Sequence, residues 1–130
     1  MSDSLLITIV TPEAQVFHGE ARDISVSGWE GEYQVLAGHD RVLSLVRGGV
    51  IRLLADGEEL AFAVGRGFAE VSGNHVVVLT DSCERPAQID RAAAEAEREA
   101  VSAAMVGASP EEWKVLEARL ELAEARLKLG

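Results

Sequence analysis

The residues best suited to chemistry lie in one short stretch, Gly28 to His39, which reads GWEGEYQVLAGH. It holds carboxylates, aromatic rings and a histidine close together, and Asp40 and Ser44 follow it. These are the residue types of a serine-histidine-aspartate triad. However, adjacent residues of a strand point to opposite faces, and no G-x-S-x-G pattern surrounds Ser44. We therefore predict that this stretch is not catalytic.

Metal and cofactor sites are not expected from the spacing of the ligand residues. Cys83 is the only cysteine, which excludes an internal disulfide and a multi-cysteine metal site. His18, His39 and His75 stand on separate predicted turns or strand edges, without the close spacing of a metal site. The run GRGFAE lacks the third glycine of a dinucleotide loop and leads into a strand. We predict no metal and no cofactor.

Charge and hydropathy limit the class of partner. The 130 residues carry 12 basic and 22 acidic side chains, a formal net charge of −10. Such a charge opposes binding to nucleic acid and to anionic lipid. No run approaches the roughly 20 apolar residues of a membrane span, so we expect no direct membrane insertion. An electrostatic partner should be basic.

Trp29 and Tyr33 favour a binding surface over a catalytic site. They lie between glycines, beside Glu30, Glu32 and His39, where a loop usually carries small polar residues. Aromatic rings together with carboxylates on a loop are typical of a contact surface. We therefore interpret the chain as an interaction module rather than an enzyme.

The elements that position these residues are short strands, up to about Glu84. Alternating or apolar runs are separated by turn residues, and Asp56-Gly57 and Gly73-Asn74 are suited to tight hairpins. Eight or so strands without a helical period between them favour an antiparallel sandwich or barrel and exclude a parallel βαβ architecture. The sandwich domain is predicted to span residues 1–85.

Residues 86–130 have the pattern of two helices. The first begins at Asp90 and ends at Gly107. The second opens with Ser109 as N-cap, Pro110 at the first helical position and Glu112 completing a capping box. The charged faces of both helices are predicted to be solvated.

Apolar stripes on the two helices predict an antiparallel hairpin. The stripes contain Ala93, Ala96, Ala100 and Ala103 on the first helix, and Trp113, Leu116, Leu120, Ala123 and Leu127 on the second. A further stripe on the second helix makes its apolar face wider than one partner helix can cover. It contains Val115, Ala118, Leu122, Ala125 and Leu129. The hairpin therefore also lies on the sandwich or meets another protein.

Two long motifs read GWEGEYQVLAGHDRVLSLVRGGVIRL and GRGFAEVSGNHVVVLTDSCERPAQID. They resemble the epsilon subunit of F-type ATP synthases, which corresponds to the delta subunit in mitochondria. The opening ITIVTPEAQVFHGEARDISV is similar to the family's first strands. The resemblance covers essentially the whole chain. It implies a mainly β fold with added α structure: an antiparallel β sandwich of about ten strands, followed by an antiparallel two-helix hairpin.

The resemblance also implies a function. Such subunits are non-catalytic parts of the central stalk of a proton-translocating ATP synthase, and they couple ion flow to ATP synthesis. The sandwich binds the gamma subunit and the membrane ring, and the C-terminal helices can reach the alpha and beta subunits. The family places the ring contact at Glu32 and His39, with Trp29 and Tyr33 beside them. The expected location is the cytoplasmic face of the bacterial inner membrane, as a peripheral protein.

The chain departs from the family pattern at several positions. Ala37, Arg41 and Gly48 replace prolines, which predicts a looser ring-facing loop. The family's regulatory nucleotide motif is represented by Ile89 and Asp90, but Ala93 replaces its arginine. We therefore expect weak nucleotide binding.

A second hypothesis is a free-standing β-sandwich module that self-associates through its helical hairpin. A stalk subunit should be monomeric alone and bind a gamma subunit. The alternative should self-associate through the leucine stripe of the second helix.

Overall fold

The structure is a computed structural model, which describes residues 4–130. Ten strands are followed by a short 3-10 turn and two helices. Their bounds are β1 Leu5–Val10, β2 Gln15–Ala21, β3 Asp23–Gly28, β4 Gly31–Leu36, β5 Val42–Val46, β6 Gly49–Ala55, β7 Glu58–Val64, β8 Gly67–Ser72, β9 His75–Thr80, β10 Cys83–Glu84, the turn Pro86–Gln88, α1 Arg91–Met105 and α2 Pro110–Leu129.

The strands form one folded-over sheet whose halves enclose the core. The strand order is β10-β7-β6-β3-β5-β8-β9-β1-β2, and β4 pairs with the other side of β3. At the fold between the halves, β3 and β5 pair only at Gly28 and Val46. Phe17 of one half meets Phe62 of the other edge to face, with ring centroids 6.0 Å apart. This confirms the predicted sandwich of about ten strands.

Period-2 patterning explains which side chains fill the core. In β3, Ile24 and Val26 point inward and are fully buried, while the serines between them are half-buried. The predicted hairpin turns also form, since Asp56, Gly57 and Gly73 all have positive φ. The inward side chains with no exposed surface include Leu5, Ile7, Ile9, Val35, Ile51, Phe62, Val71 and Val76.

One strand pairing differs from a purely antiparallel sandwich. β1 and β9 pair in parallel, with Leu6 opposite His75 and Val10 opposite Leu79. The two strands are far apart in the chain, so no βαβ crossover is needed to join them. The other pairings are antiparallel.

The helix ends follow the local sequence. Asp90 is the N-cap of α1, where its Oδ1 accepts a hydrogen bond from the Ala93 amide at 3.0 Å. Gly107 has φ +79° just after α1. The capping box of α2 forms between Ser109 and Glu112, with both hydrogen bonds at 3.2 Å. Among residues 4–130, neither helix is both long and apolar enough to cross a membrane.

The two helices form an antiparallel hairpin, but α1 uses a different face from the predicted one. Arg119 of α2 pairs with Glu97 of α1 at 2.9 Å, and Ala94 and Val101 are the buried residues of α1. The predicted stripe of Ala93, Ala96 and Ala100 is exposed, so that prediction is wrong. The observed face is offset by one position, because it buries the larger Val101 side chain and presents Glu97 to Arg119.

Helix α2 is covered on two sides. Ala123, from the stripe predicted to face α1, is buried, and so is Ala125 from the neighbouring stripe. Its other side packs on β6 and β7 of the sandwich. The predicted leucines are half-buried, and Trp113 remains 44% exposed at the start of the helix. These leucines are Leu116, Leu120 and Leu127.

Candidate functional site

The predicted contact residues surround an open cleft between β4 and β5. Trp29, Tyr33 and His39 all line this cleft, whose volume is about 530 Å³. Tyr33 extends from β4 across to β5, where its hydroxyl lies 2.5 Å from Ser44 Oγ. His39 Nδ1 lies 2.8 Å from the carbonyl oxygen of Asp40. The Ser44 hydroxyl is therefore hydrogen-bonded to Tyr33, and the His39 imidazole contacts the backbone carbonyl of Asp40.

Glu32 is placed apart from these residues. It alternates with Tyr33 along β4, so its side chain points to the opposite face of the strand, and it is exposed. It also stands near the start of β4, whereas His39 follows its far end. Four residues of strand, about 13 Å, separate Glu32 from Leu36. The structure thus brings three of the four predicted residues to one cleft and leaves Glu32 outside it.

The Trp29 ring is contacted by two arginines. Its amide donates to the Leu45 carbonyl at 3.0 Å, which fixes the β3–β4 turn against β5. The guanidinium carbons of Arg47 and Arg66 lie 5.2 Å and 4.8 Å from the Trp29 ring centroid. Both contacts have cation–π geometry. Trp29 nevertheless remains 42% exposed. Part of the ring is therefore accessible to solvent while the two guanidinium groups contact it.

An exposed apolar row crosses the sheet next to Trp29. It consists of Leu45 on β5, Phe68 on β8 and Leu79 on β9, which are directly opposite one another across the strands. Each is about half exposed, with 51%, 52% and 49% of its surface accessible. Trp29, Leu45 and Phe68 line one shallow pocket, so the row is continuous with the tryptophan. A contiguous exposed apolar surface of this kind marks an interaction site.

Behind Trp29, the two arginines bind Glu121 of α2. Arg66 donates to both carboxylate oxygens at 3.0 Å and 2.8 Å, and Arg47 donates at 2.9 Å. The Gly48 amide adds a fourth bond at 3.1 Å, and Arg66 also binds Glu117 at 3.0 Å. Glu121 is only 9% exposed. The prediction that the charged helix faces are solvated is wrong at this position.

The environment of Glu121 stabilises its charged form. Burial acts to raise the pKa of the carboxyl, but it is outweighed by hydrogen bonds from Arg66 and the Gly48 amide and by the charges of Arg66 and Arg47. The pKa is lowered overall. Glu121 is therefore a carboxylate at neutral pH, which is the form that the two arginines require.

Two of the three histidines come together, although they are 57 positions apart in the sequence. His18 Nδ1 lies 3.0 Å and His75 Nε2 lies 3.4 Å from Thr8 Oγ1. The β1–β2 and β1–β9 pairings place both side chains beside Thr8, although the two histidines stand on separate strands. Within residues 4–130, no group of three or more histidine, cysteine, aspartate or glutamate side chains is arranged to hold a metal ion.

The residues of the nucleotide motif are engaged at the base of the hairpin. Asp90 caps α1, and Ala93 is exposed. The neighbouring Arg91 donates to the carbonyl oxygens of Leu127 and Gly130 at 2.8 Å and 3.0 Å. Its guanidinium therefore connects the start of α1 to the end of α2.

Sequence reasoning missed the arginine–glutamate cluster and the apolar row. Arg47, Arg66 and Glu121 are far apart in the chain, and no local pattern connects them. The row had a visible signal, because β5 is apolar on both faces, with Leu43 and Leu45 alternating with Val42 and Val46. A strand of this kind is covered on both sides, by the core and by something else.

Comparisons with known proteins agree with this architecture. The sequence model of the ATP synthase delta/epsilon chain β-sandwich domain matches residues 4–86. The ATP synthase epsilon chain of Synechococcus sp. strain JA-2-3B'a(2-13) is 34% identical over 123 residues, which cover 95% of this chain and 89% of that relative. The epsilon chain of Geobacter metallireducens is 34% identical over 132 residues, covering 100% and 96%.

Solved structures show the same fold. A chain in the cryo-EM structure of the Euglena gracilis mitochondrial ATP synthase, OSCP/F1/c-ring, matches with a TM-score of 0.85 and 21% identity, over 98% of this chain and 81% of that one. A chain in the central stalk/c-ring structure from Tetrahymena thermophila matches with a TM-score of 0.55 and 12% identity, over 65% and 68%. From its sequence and fold, the chain therefore belongs to the ATP synthase delta/epsilon family of non-catalytic subunits.

Proposed function

We propose that the chain works in the central stalk of a proton-translocating F-type ATP synthase, where it joins the gamma subunit to the membrane ring. Residues 1–85 form the binding domain in this proposal, and residues 86–130 form the supporting hairpin domain. The protein would then be peripheral, at the cytoplasmic face of the bacterial inner membrane. The observation that carries the proposal is the exposed apolar row beside Trp29, on a chain of this family.

The gamma subunit is the partner assigned to the apolar row and Trp29. A permanent rotor contact needs apolar area, and the row offers three half-exposed large side chains next to an aromatic ring. This assignment moves Trp29 from the ring surface to the gamma surface, because it shares a pocket with Leu45 and Phe68.

The ring contact is assigned to Glu32, His39 and Tyr33. Glu32 is exposed on an acidic protein, which suits basic loops of a ring subunit. Because Glu32 and His39 lie near opposite ends of β4, each should be changed separately. Ring binding of Glu32→Gln and of His39→Gln is measured by co-purification with the ring. If both variants bind the ring as well as the parent protein does, neither residue belongs to the interface.

The gamma surface is tested with substitutions that leave the core intact. In Leu45→Thr and Phe68→Thr the new threonine is β-branched and suits an exposed strand position, but apolar area is lost. Each substitution should therefore weaken gamma binding by tenfold or more, equivalent to about 1.4 kcal/mol. Val115→Thr is the matched control, because Val115 is 62% exposed but lies on the hairpin. Binding of purified gamma subunit is measured by titration calorimetry. Equal affinity for all three variants would contradict the assignment.

Nucleotide binding should be weak. The arginine of the family motif is absent at Ala93, and Arg91 is already bonded to the carbonyls at the end of α2. A charge-assisted hydrogen bond to a phosphate is worth roughly 1.5 to 3 kcal/mol. Calorimetry with ATP should therefore give no low-micromolar affinity, and such an affinity would show that another side chain replaces the missing one.

A further inference from the structure

A connected set of contacts runs from the hairpin to the proposed gamma surface. Within residues 4–130, every side-chain hydrogen bond of Arg47 and Arg66 goes to Glu117 or Glu121 of α2. The same two guanidinium groups stack on the Trp29 ring. The orientation of Trp29 therefore depends on arginines whose own orientation is set by α2.

Removing α2 from the sandwich would free both arginines. A guanidinium without its carboxylate regains rotamer freedom, and the Trp29 ring loses the two groups that restrain it. Ordering a long side chain again on binding costs conformational entropy, so a partner that docks on Trp29 would bind less tightly. When the hairpin is docked, the two arginines and Trp29 are already ordered before the partner binds.

We infer that docking of the hairpin and binding of the gamma subunit are coupled through Glu121, Arg47, Arg66 and Trp29. Glu121 acts as a positioning residue for the gamma surface, although it lies on the other side of the arginines. Coupling of this kind is reciprocal, so a bound gamma subunit also holds the hairpin down. This inference rests on the proposed function, since it concerns regulation of the same surface.

The experiment compares Glu121→Gln with Glu124→Gln in the full chain. Glutamine preserves the shape of the side chain but removes its charge, and Glu124 is an exposed control on the same helix. All proteins carry Trp113→Phe, which leaves Trp29 as the only tryptophan of the two in the sequence. Acrylamide quenching reports the exposure of Trp29, and calorimetry reports affinity for purified gamma subunit.

We expect Glu121→Gln to increase quenching of Trp29 and to weaken gamma binding about fivefold or more, which is the lower range of usual coupling. Glu124→Gln should change neither. If Glu121→Gln does not fold by circular dichroism, Arg66→Lys replaces it, because lysine keeps the charge but cannot bind a carboxylate through two nitrogens.

Three results would count against the inference or its basis. Quenching and affinity equal to the Glu124→Gln control would overturn the coupling. Increased quenching with unchanged affinity would also overturn it, since Trp29 would then move without consequence for the partner. No gamma binding by the parent protein would overturn the proposed function itself, whereas the quenching comparison would still show whether Glu121 restrains Trp29.

Discussion

At the scale of single residues, Glu121 joins α2 to the sandwich. Its carboxylate accepts hydrogen bonds from Arg47, Arg66 and the Gly48 amide while almost fully buried. Removing one member of such a cluster leaves uncompensated charge on the others, which is more costly than losing an exposed pair. Arg126 and Glu84, 2.5 Å apart, add a second ion pair between α2 and the sandwich.

The contribution of Glu121 should depend on pH. Because its pKa is lowered in the folded protein, the carboxyl binds a proton less readily there than in the unfolded chain. The resulting stability is present above the ordinary glutamate value of 4.5 and is lost as the pH falls through the folded pKa. Glu121→Gln should therefore destabilise the protein by about 1 to 3 kcal/mol at pH 7 and by progressively less below pH 4.5.

Urea unfolding of the parent protein and of Glu121→Gln across this pH range tests the prediction. Glu124→Gln again serves as the control. Its effect on the free energy of unfolding should be small and should not decrease below pH 4.5 as that of Glu121→Gln does. A difference between parent and Glu121→Gln that is constant from pH 7 to pH 3 would show that the charge of Glu121 does not stabilise the fold.

Residue types alone drew attention to three residues that share a cleft, but not to the arginines beside them. Trp29, Tyr33 and His39 stood out because rings and an imidazole are unusual in a glycine-rich turn, and they do line one cleft. Arg47 and Arg66 could not be identified in this way. Their role depends on the approach of α2, whose residues lie at least 44 positions further along the chain.

At the scale of elements, the close approach of α2 to the β5–β6 connection depends on Gly48. A Cβ atom at Gly48 would lie 2.7 Å from the Cβ of Glu121, too close for either residue to stay in place. The resemblance to the family implies a proline at this position, and the glycine found here leaves room for the helix and supplies an amide to Glu121. The substitution expected to loosen a loop therefore allows a tighter helix contact.

Gly48→Ala should displace α2 and destabilise the protein by about 1 to 3 kcal/mol, the usual effect of overpacking. Gly19→Ala is the control, because its added methyl group would meet only the far end of the Phe17 ring, at 3.3 Å. Thermal unfolding of both variants provides the comparison. If Gly48→Ala is as stable as Gly19→Ala, the helix is not held as closely as the structure describes.

The sequence predicts ends of elements better than their faces. Caps are local, so Asp90, Ser109 and Glu112 were identified from a few adjacent residues. The buried face of α1 depends on which side chains of α2 pack against it. A stripe of alanines buries too little apolar area to determine which face of α1 is buried. The contact between Glu97 and Arg119 joins residues 22 apart, which no helical periodicity can reveal.

At the scale of the whole molecule, the hairpin lies folded against the sandwich. Two groups of ion pairs and the packing of α2 on β6 and β7 hold it there. A raised hairpin would expose this surface, and residues 111–130 carry five acidic against four basic side chains, which gives little attraction to an acidic head segment. We propose that the hairpin supports the stalk and inhibits ATP hydrolysis only weakly.

Deletion of residues 88–130 tests that role in the assembled complex. ATP hydrolysis should change little, because in our proposal the hairpin stays folded against the sandwich and does not reach the catalytic head. The control is the complex containing the full chain at the same occupancy, measured by immunoblot. A severalfold rise in hydrolysis on deletion would show that the hairpin is an inhibitor.

The overall architecture was predictable because its signals are repeated along the chain. Alternating strands, hairpin turns and a change of composition after Pro86 all indicated a sandwich followed by two helices. The parallel contact between β1 and β9 was not predictable in the same way, since it closes the sheet between strands 65 or more residues apart. Long-range pairings of this kind follow from packing of the two halves.

The most direct test of the central claim is reconstitution of the chain's own ATP synthase after removal of this subunit. Adding back the purified protein should restore a stoichiometric complex and ATP-driven proton pumping, while Phe68→Thr should require a higher concentration for the same effect. Pumping is measured by quenching of a pH-sensitive dye in membrane vesicles. Failure of the parent protein to associate, or full pumping without it, would contradict a role in the central stalk.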